Sequence, residues 1–390
     1  MFLASLYAYP WDLNDEGLDR SLGRIADTGC QEVMVAVSYH ISTYFLPHNP
    51  VRSLYHGEDG AIYFTPDAGR YGKTRIRPRV SEVVTGPGYL ERIVEAIEKK
   101  HLKFGAWIVY LFNHHLSWKY KEFAKHDALG NAYHGQLSPW PEDVGEYALA
   151  LTGEILDRFK PAAVHVESLS RLRWSYGFLN PKVLSAISPR DEFLLGLCFN
   201  PASAARVTAA GLDAAKFQRD VAAWLRPRLA RLPKPEDLAP VTKEWIDEAL
   251  EGRLAKYLAV SRAHTTAMWT RVAERIRRSG ARLQTVPASV EGSWRDDLGP
   301  EVGRNIDRVT IAPLRPDDGP AGRVRELSGR IAKNGIVMIS TQPGGMTNPG
   351  PLQEQVHTAA AAGAGGATFY NYGLLREEQL GFIRTALATL

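Results

Sequence analysis

Ala163-Val-His-Val-Glu-Ser168 is a short apolar run that ends in polar residues. It follows a helical stretch, residues 145–159, in which Tyr147, Leu151, Ile155 and Leu156 mark one apolar face. The same unit recurs in both directions along the chain. Apolar runs at 2–9, 32–40, 103–113, 282–289, 307–314, 335–342 and 366–373 each close on a polar or aromatic residue, and helical patterns lie between most of them. Leu18, Leu22, Ile25 and Ala26 form such a face within 15–28, with Asn14 or Asp15 as the expected cap and Gly29 as the stop. Leu90, Ile93, Val94 and Ile97 form another within 89–100. Eight such units in 390 residues predict a (β/α)8 TIM barrel, a single domain over 1–390. In that architecture the C-terminal ends of the strands carry the site, so the last residues of each run are the ones to weigh.

The surplus length falls in four places. Residues 41–87, 114–142 and 168–203 are long insertions after strands 2, 3 and 4, and 204–280 is strongly helical, with helices expected over 216–232 and 242–279. Within the first, Gly57-Glu-Asp-Gly60 followed by Ala-Ile-Tyr-Phe64 reads as a hairpin. All three insertions are expected on the catalytic face, where long structured loops shape clefts. Helical patterns at 324–333, 352–362 and 377–390 complete the barrel.

Composition narrows the class. Hydrophobic residues at 45% and charged residues at 23% are those of a globular enzyme, and a net charge of +4 with scattered Lys and Arg speaks against nucleic acid. The densest basic run, 70–79, reads as a solvated loop. Cys30 and Cys198 stand in no CxxC, so neither a disulfide framework nor a structural zinc site is expected. The N-terminus lacks a basic n-region and no apolar stretch reaches about 18 residues, so a cytoplasmic protein without a membrane span is expected. Apolar helix faces in 204–280 suit a homodimer.

Side chains alternate across a strand, so His165 and Glu167 share a face, and in a barrel that face is inward with Glu167 nearer the mouth. A carboxylate there is costly unless it is paired or used. Glycosidic-bond chemistry needs a second one, because one group protonates the leaving oxygen while the other attacks or supports the sugar carbon. Glu291, just past strand 5 and before a glycine, is that candidate, with Asp296 and Asp297 close behind. Asp317 and Asp318 lie in a turn signature, and runs seven and eight end without an acid. Rings and amides crowd the other strand ends, and flat apolar faces with polar edges suit sugars. Tyr9, Trp11, Tyr39, His40, Asn113, His114, His165, Trp294, Gln342, Asn371 and Tyr372 are the expected substrate contacts. No cofactor and no metal are expected. The histidines nonetheless admit a metal-dependent sugar isomerase or epimerase built on Glu167 with His40, His114 and His165, although the first strand has Tyr7-Ala-Tyr9 in place of H-x-H. A carbohydrate-binding barrel without catalysis is the third reading.

Asp127-Ala-Leu-Gly-Asn131, Leu137-Ser-Pro-Trp-Pro141 and the helix leading to Glu167, with Leu195-Gly-Leu-Cys-Phe199 beyond, resemble the corresponding stretch of glycoside-hydrolase-like barrels related to the amylases. The resemblance covers about residues 100–205 and implies a TIM-barrel glycosidase with a carbohydrate substrate. It aligns Glu167 with the strand-four catalytic position, where amylases carry Asp, and Glu291 with the strand-five one; strand seven lacks the third carboxylate.

Overall fold

A computed structural model describes residues 2–286 and 299–390. Eight parallel strands close into a barrel: β1 Leu3–Ala8, β2 Glu32–Tyr39, β3 Lys103–Val109, β4 Ala163–Glu167, β5 Arg282–Thr285, β6 Arg308–Ile311, β7 Ile336–Thr341 and β8 Gly366–Phe369. Closure comes from β1, which pairs with β8 through Leu3↔Gly366 and Ser5↔Thr368 and with β2 through Ser5↔Glu32 and Tyr7↔Met34. The runs read from sequence are these strands, trimmed where polar residues turn the chain away from the ladder.

Alternation then sorts the side chains. Leu6, Val33, Val35, Ile108, Val164, Val166, Val309 and Ile339 face outward into one apolar shell. The covering helices are α1 Leu18–Asp27, α2 Tyr89–Lys99, α3 Glu142–Phe159, α4 Arg253–Ser279, α5 Pro320–Ser328, α6 Gly350–Ala361 and α7 Glu377–Ala388. Tyr7, Met34, Ala36, Trp107, Val109 and Ala163 belong to a second, inner cluster. Toward the barrel floor a buried ion pair spans the interior: Arg308 Nη1 donates to Glu32 Oε1 at 2.7 Å, and Ser5 Oγ to the same oxygen at 2.5 Å. Among the described residues no helix is long and apolar enough to cross a membrane.

Three local expectations are corrected. The hairpin of the first insertion is Thr43–Phe45 with Leu54–His56, while Ala61–Ile62 pairs antiparallel with β2 at Ser38 and Tyr39. Helix α1 starts after Gly17 with no side-chain cap, because Pro10–Asp15 forms its own short helix and removes Asn14 and Asp15 from the capping position. The helix expected over 242–279 is broken into Lys243–Glu248 and α4 by Leu250, Glu251 and Gly252, all at positive φ. Helices of the 189–258 region pack around a separate apolar cluster with Leu194, Phe217, Trp245 and Tyr257 at its centre.

Candidate active site

The inward positions of β1, β4 and β5 meet in one polar chain. Gln284 Nε2 donates to Tyr7 Oη at 3.0 Å, and the Tyr7 hydroxyl meets His165 Nδ1. Burial pushes the His165 pKa down to about 3, which favours the uncharged ring.

One strand step further toward the mouth stands Glu167. Trp107 Nε1 donates to its Oε2 at 2.7 Å. Burial raises its pKa above the usual carboxylate range, against the opposing pull of hydrogen bonds from Trp107 and from Tyr176. Among the described residues no neighbouring carboxylate contributes to that rise, and desolvation is its cause. Around it rings form a bowl. Tyr9 Oη lies 2.7 Å from Tyr370 Oη and 3.3 Å from Tyr39 Oη, and Tyr39 Oη is 3.3 Å from Tyr370 Oη. Trp107 stands edge-on to Tyr39 at 4.4 Å between centroids and to Tyr370 at 5.9 Å. The Glu167 charge is felt by Tyr7, Tyr39, Tyr176 and Tyr370, whose own pKa values are raised first by burial and then by that charge among the nearby groups.

The other residues expected from sequence divide into two groups. Tyr9, Tyr39, His165 and Glu167 come together at or just below the mouth, and His40 stacks on the rim between Tyr39 at 4.2 Å and Phe112 at 4.5 Å. Trp11 is fully buried and backs the wall, stacked on Tyr9 at 4.4 Å. His114 is tied to Asp59 through Nδ1 at 3.1 Å and to the Gly177 carbonyl through Nε2 at 2.8 Å. Asn113 is buried and caps a short helix by accepting from Leu116 N at 2.8 Å. Asn371 is buried and shapes a turn by accepting from Gly373 N at 3.2 Å. Tyr372 is turned away from the mouth and donates to the buried Glu16 at 2.8 Å. Asn113 and Tyr372 have their polar groups engaged within the fold, whereas Asn371 Nδ2 is buried without a hydrogen-bond partner among the described residues. Gln342 is exposed beyond β7. Glu291 and Trp294 lie outside the described residues.

His40 Nδ1 is held by the Ile41 carbonyl, His114 is spent on Asp59 and Gly177, and His165 lies beneath the mouth. No three His, Cys, Asp or Glu side chains group as metal ligands among the described residues.

Tyr7, Trp107 and Tyr370 are strand-end rings and Tyr176 a ring of the 168–203 insertion in the sequence, but neither they nor Gln284 were among the expected substrate contacts. Four of them were within reach, since the alternation that turns Glu167 inward applies equally to Trp107 on β3, Tyr7 on β1, Gln284 on β5 and the residue after β8. Tyr176 was not, because it arrives on an insertion. Its neighbour Gly177 has φ +83°, and a Cβ there would stand 2.4 Å from Phe112 Cε2. Gly177→Ala is therefore expected to cost about 1–3 kcal/mol and to loosen the segment carrying Tyr176, read as a lower urea midpoint and faster proteolysis between 168 and 188.

No family model matches the chain, and no curated protein matches it in sequence. Solved structures do match its fold. The catalytic domain of β-amylase from Paenibacillus polymyxa superposes with a TM-score of 0.56 at 13% identity, over 100% of this chain and 98% of the other. The PgaB (BpsB) glycoside hydrolase domain from Bordetella bronchiseptica gives 0.56 at 12%, over 100% and 98%. α-L-Fucosidase isoenzyme 2 from Paenibacillus thiaminolyticus gives 0.59 at 13%, and there the chain spans 49% of the other protein's length. The fold is thus a TIM barrel of the kind found in glycoside hydrolases. At these identities the likeness concerns the fold alone.

Proposed function

We propose that the protein is a glycosidase in which Glu167 is the general acid. The observation that carries this reading is the carboxyl at the C-terminal end of β4, its pKa raised by burial and its Oε2 bonded by Trp107 at 2.7 Å within a bowl of rings. A proton donor must hold its proton at working pH and release it as the leaving oxygen gains charge, and a carboxyl raised by desolvation is poised for that. Rings with hydroxyl edges provide both stacking faces and hydrogen bonds for a pyranose.

The second carboxylate of this proposal is Glu291. Thr285 Oγ1 donates to the Val166 carbonyl at 3.0 Å, so the chain leaves β5 beside the residue that precedes Glu167. Glu291 follows six positions later. As nucleophile it would give retention at a separation of about 5 Å from Glu167; as base for water it would give inversion beyond about 6.5 Å.

A screen of aryl glycosides and oligosaccharides, with and without EDTA, tests the class: turnover that survives EDTA and is lost in Glu167→Gln supports it, and turnover lost with EDTA overturns it. The acid role also has a pH signature. Activity carried by protonated Glu167 falls as pH rises through its pKa, so the basic limb of kcat/KM is expected above the ordinary carboxylate range. A basic limb near pH 4 would contradict the assignment.

A further inference from the structure

Between Glu167 and Pro189 the chain forms neither strand nor helix, yet it carries Tyr176 to the Glu167 carboxyl. Its internal backbone bonds are few, such as Tyr176 N to Arg173 O at 3.2 Å and Phe178 N to Ser175 O at 3.3 Å. What holds it comes from the preceding insertion. Gln136 is 1% exposed on the strand Ala132–Leu137, and its Nε2 donates to the carbonyls of Tyr176 at 2.7 Å and Arg173 at 2.8 Å, with Trp174 at 3.4 Å. Its Oε1 accepts from Lys125 Nζ at 3.1 Å, and the same ammonium donates to the Leu172 carbonyl at 3.1 Å. An amide whose oxygen is occupied by a lysine can present only its NH₂ to the loop, so Lys125 sets the direction of Gln136.

We infer that Gln136, oriented by Lys125, is a positioning residue that seats Tyr176 against the inner ring cluster beside Glu167. A buried glutamine aimed at three carbonyls of one irregular segment does nothing for barrel closure. Tyr176 is the member of that segment that packs against the inner cluster, its ring 5.1 Å from that of Phe112 between centroids, and its hydroxyl favours the charged form of Glu167. Unseating it removes a donor to the carboxylate and leaves burial less opposed, so the Glu167 pKa rises further. The described groups that face the carboxyl are Trp107 from β3, Tyr7 from β1, Tyr39 from β2, Tyr370 after β8 and Tyr176, with His165 below. None of the tyrosines ionises in the range where Glu167 titrates, because burial raises all of them. Arg173 acts on Tyr176 from the same loop.

The catalytic consequence rests on the glycosidase reading, but the seating can be tested without activity. The Trp107 indole N–H is bonded to Glu167, so its resonance in ¹⁵N-Trp-labelled protein reports that titration. Trp107→Phe assigns the peak, and Glu167→Gln removes its pH dependence. Tyr176→Phe is expected to raise the midpoint by about 0.5–1 pH unit, the worth of one hydrogen bond to a charged group discounted for partial exposure. Gln136→Leu is expected to raise it comparably, and the double variant no further than Tyr176→Phe alone. Should Gln136→Leu not fold, Lys125→Met serves as the second variant, because it removes the donor to the Leu172 carbonyl and to Gln136 Oε1. A folded Gln136→Leu or Lys125→Met protein with an unchanged midpoint, or additive shifts in the double variant, overturns the inference. Coupled shifts in a protein without glycosidase activity would leave the seating intact and refute the functional reading instead.

Discussion

Glu167→Gln is expected to lower turnover of an unactivated glycoside by roughly 10²–10⁴-fold, the usual contribution of a positioned general acid. The substitution keeps an oxygen for the Trp107 N–H, which approaches Oε2 at 2.7 Å, so the fold should survive and the loss should lie in chemistry. The dependence on leaving group decides the role. A substrate whose leaving group departs as a stable phenolate needs no proton, and the variant should lose far less on it than on an alkyl glycoside. Equal losses on both would reassign Glu167 as nucleophile or electrostatic support. Full activity on both, in a folded protein, would remove it from the mechanism.

Arg308→Met is expected to destabilise the protein by about 3–5 kcal/mol, the largest single effect on stability anticipated here. Arg308 is 7% exposed and Glu32 is fully buried, and their contact is 2.7 Å inside the barrel. Removing the cation strands a carboxylate where water cannot reach it. The double variant Glu32→Gln/Arg308→Met should recover much of that loss, because no charge is then left buried. The comparison is Arg70–Asp157, also 2.7 Å apart, with side chains 34% and 42% exposed. Breaking that pair is expected to cost at most about 1 kcal/mol. Urea midpoints of the variants measure both. An Arg308→Met cost as small as the surface pair's would show that the floor of the barrel does not depend on the ion pair.

Much of the site was legible from strand periodicity. Once 163–168 is read as a strand, Glu167 and His165 must share a face, and the same rule applied to the other runs brings in Trp107, Tyr7 and Gln284. Chemistry at those positions was less legible. His165 reads as a titratable group in sequence, whereas burial beneath the mouth favours the uncharged ring. Tyr372 reads as a strand-end ring, but its hydroxyl is drawn to Glu16, a residue 356 positions away in sequence. The break before α4 was hidden for a local reason. Nothing in Leu250-Glu251 announces positive φ, and only the following Gly252 carries a turn signal.

The sequence by itself determined the barrel, the inward face of each strand and the place of Glu167, because a period of two residues is local and survives any arrangement of neighbours. What only the tertiary structure decided is the state of that carboxyl. Its pKa is raised by desolvation, and its donors come from β3 and from a loop clamped by Gln136 and Lys125 of another insertion. Burial and long-range hydrogen bonds depend on which distant segments meet, and no local pattern encodes that meeting.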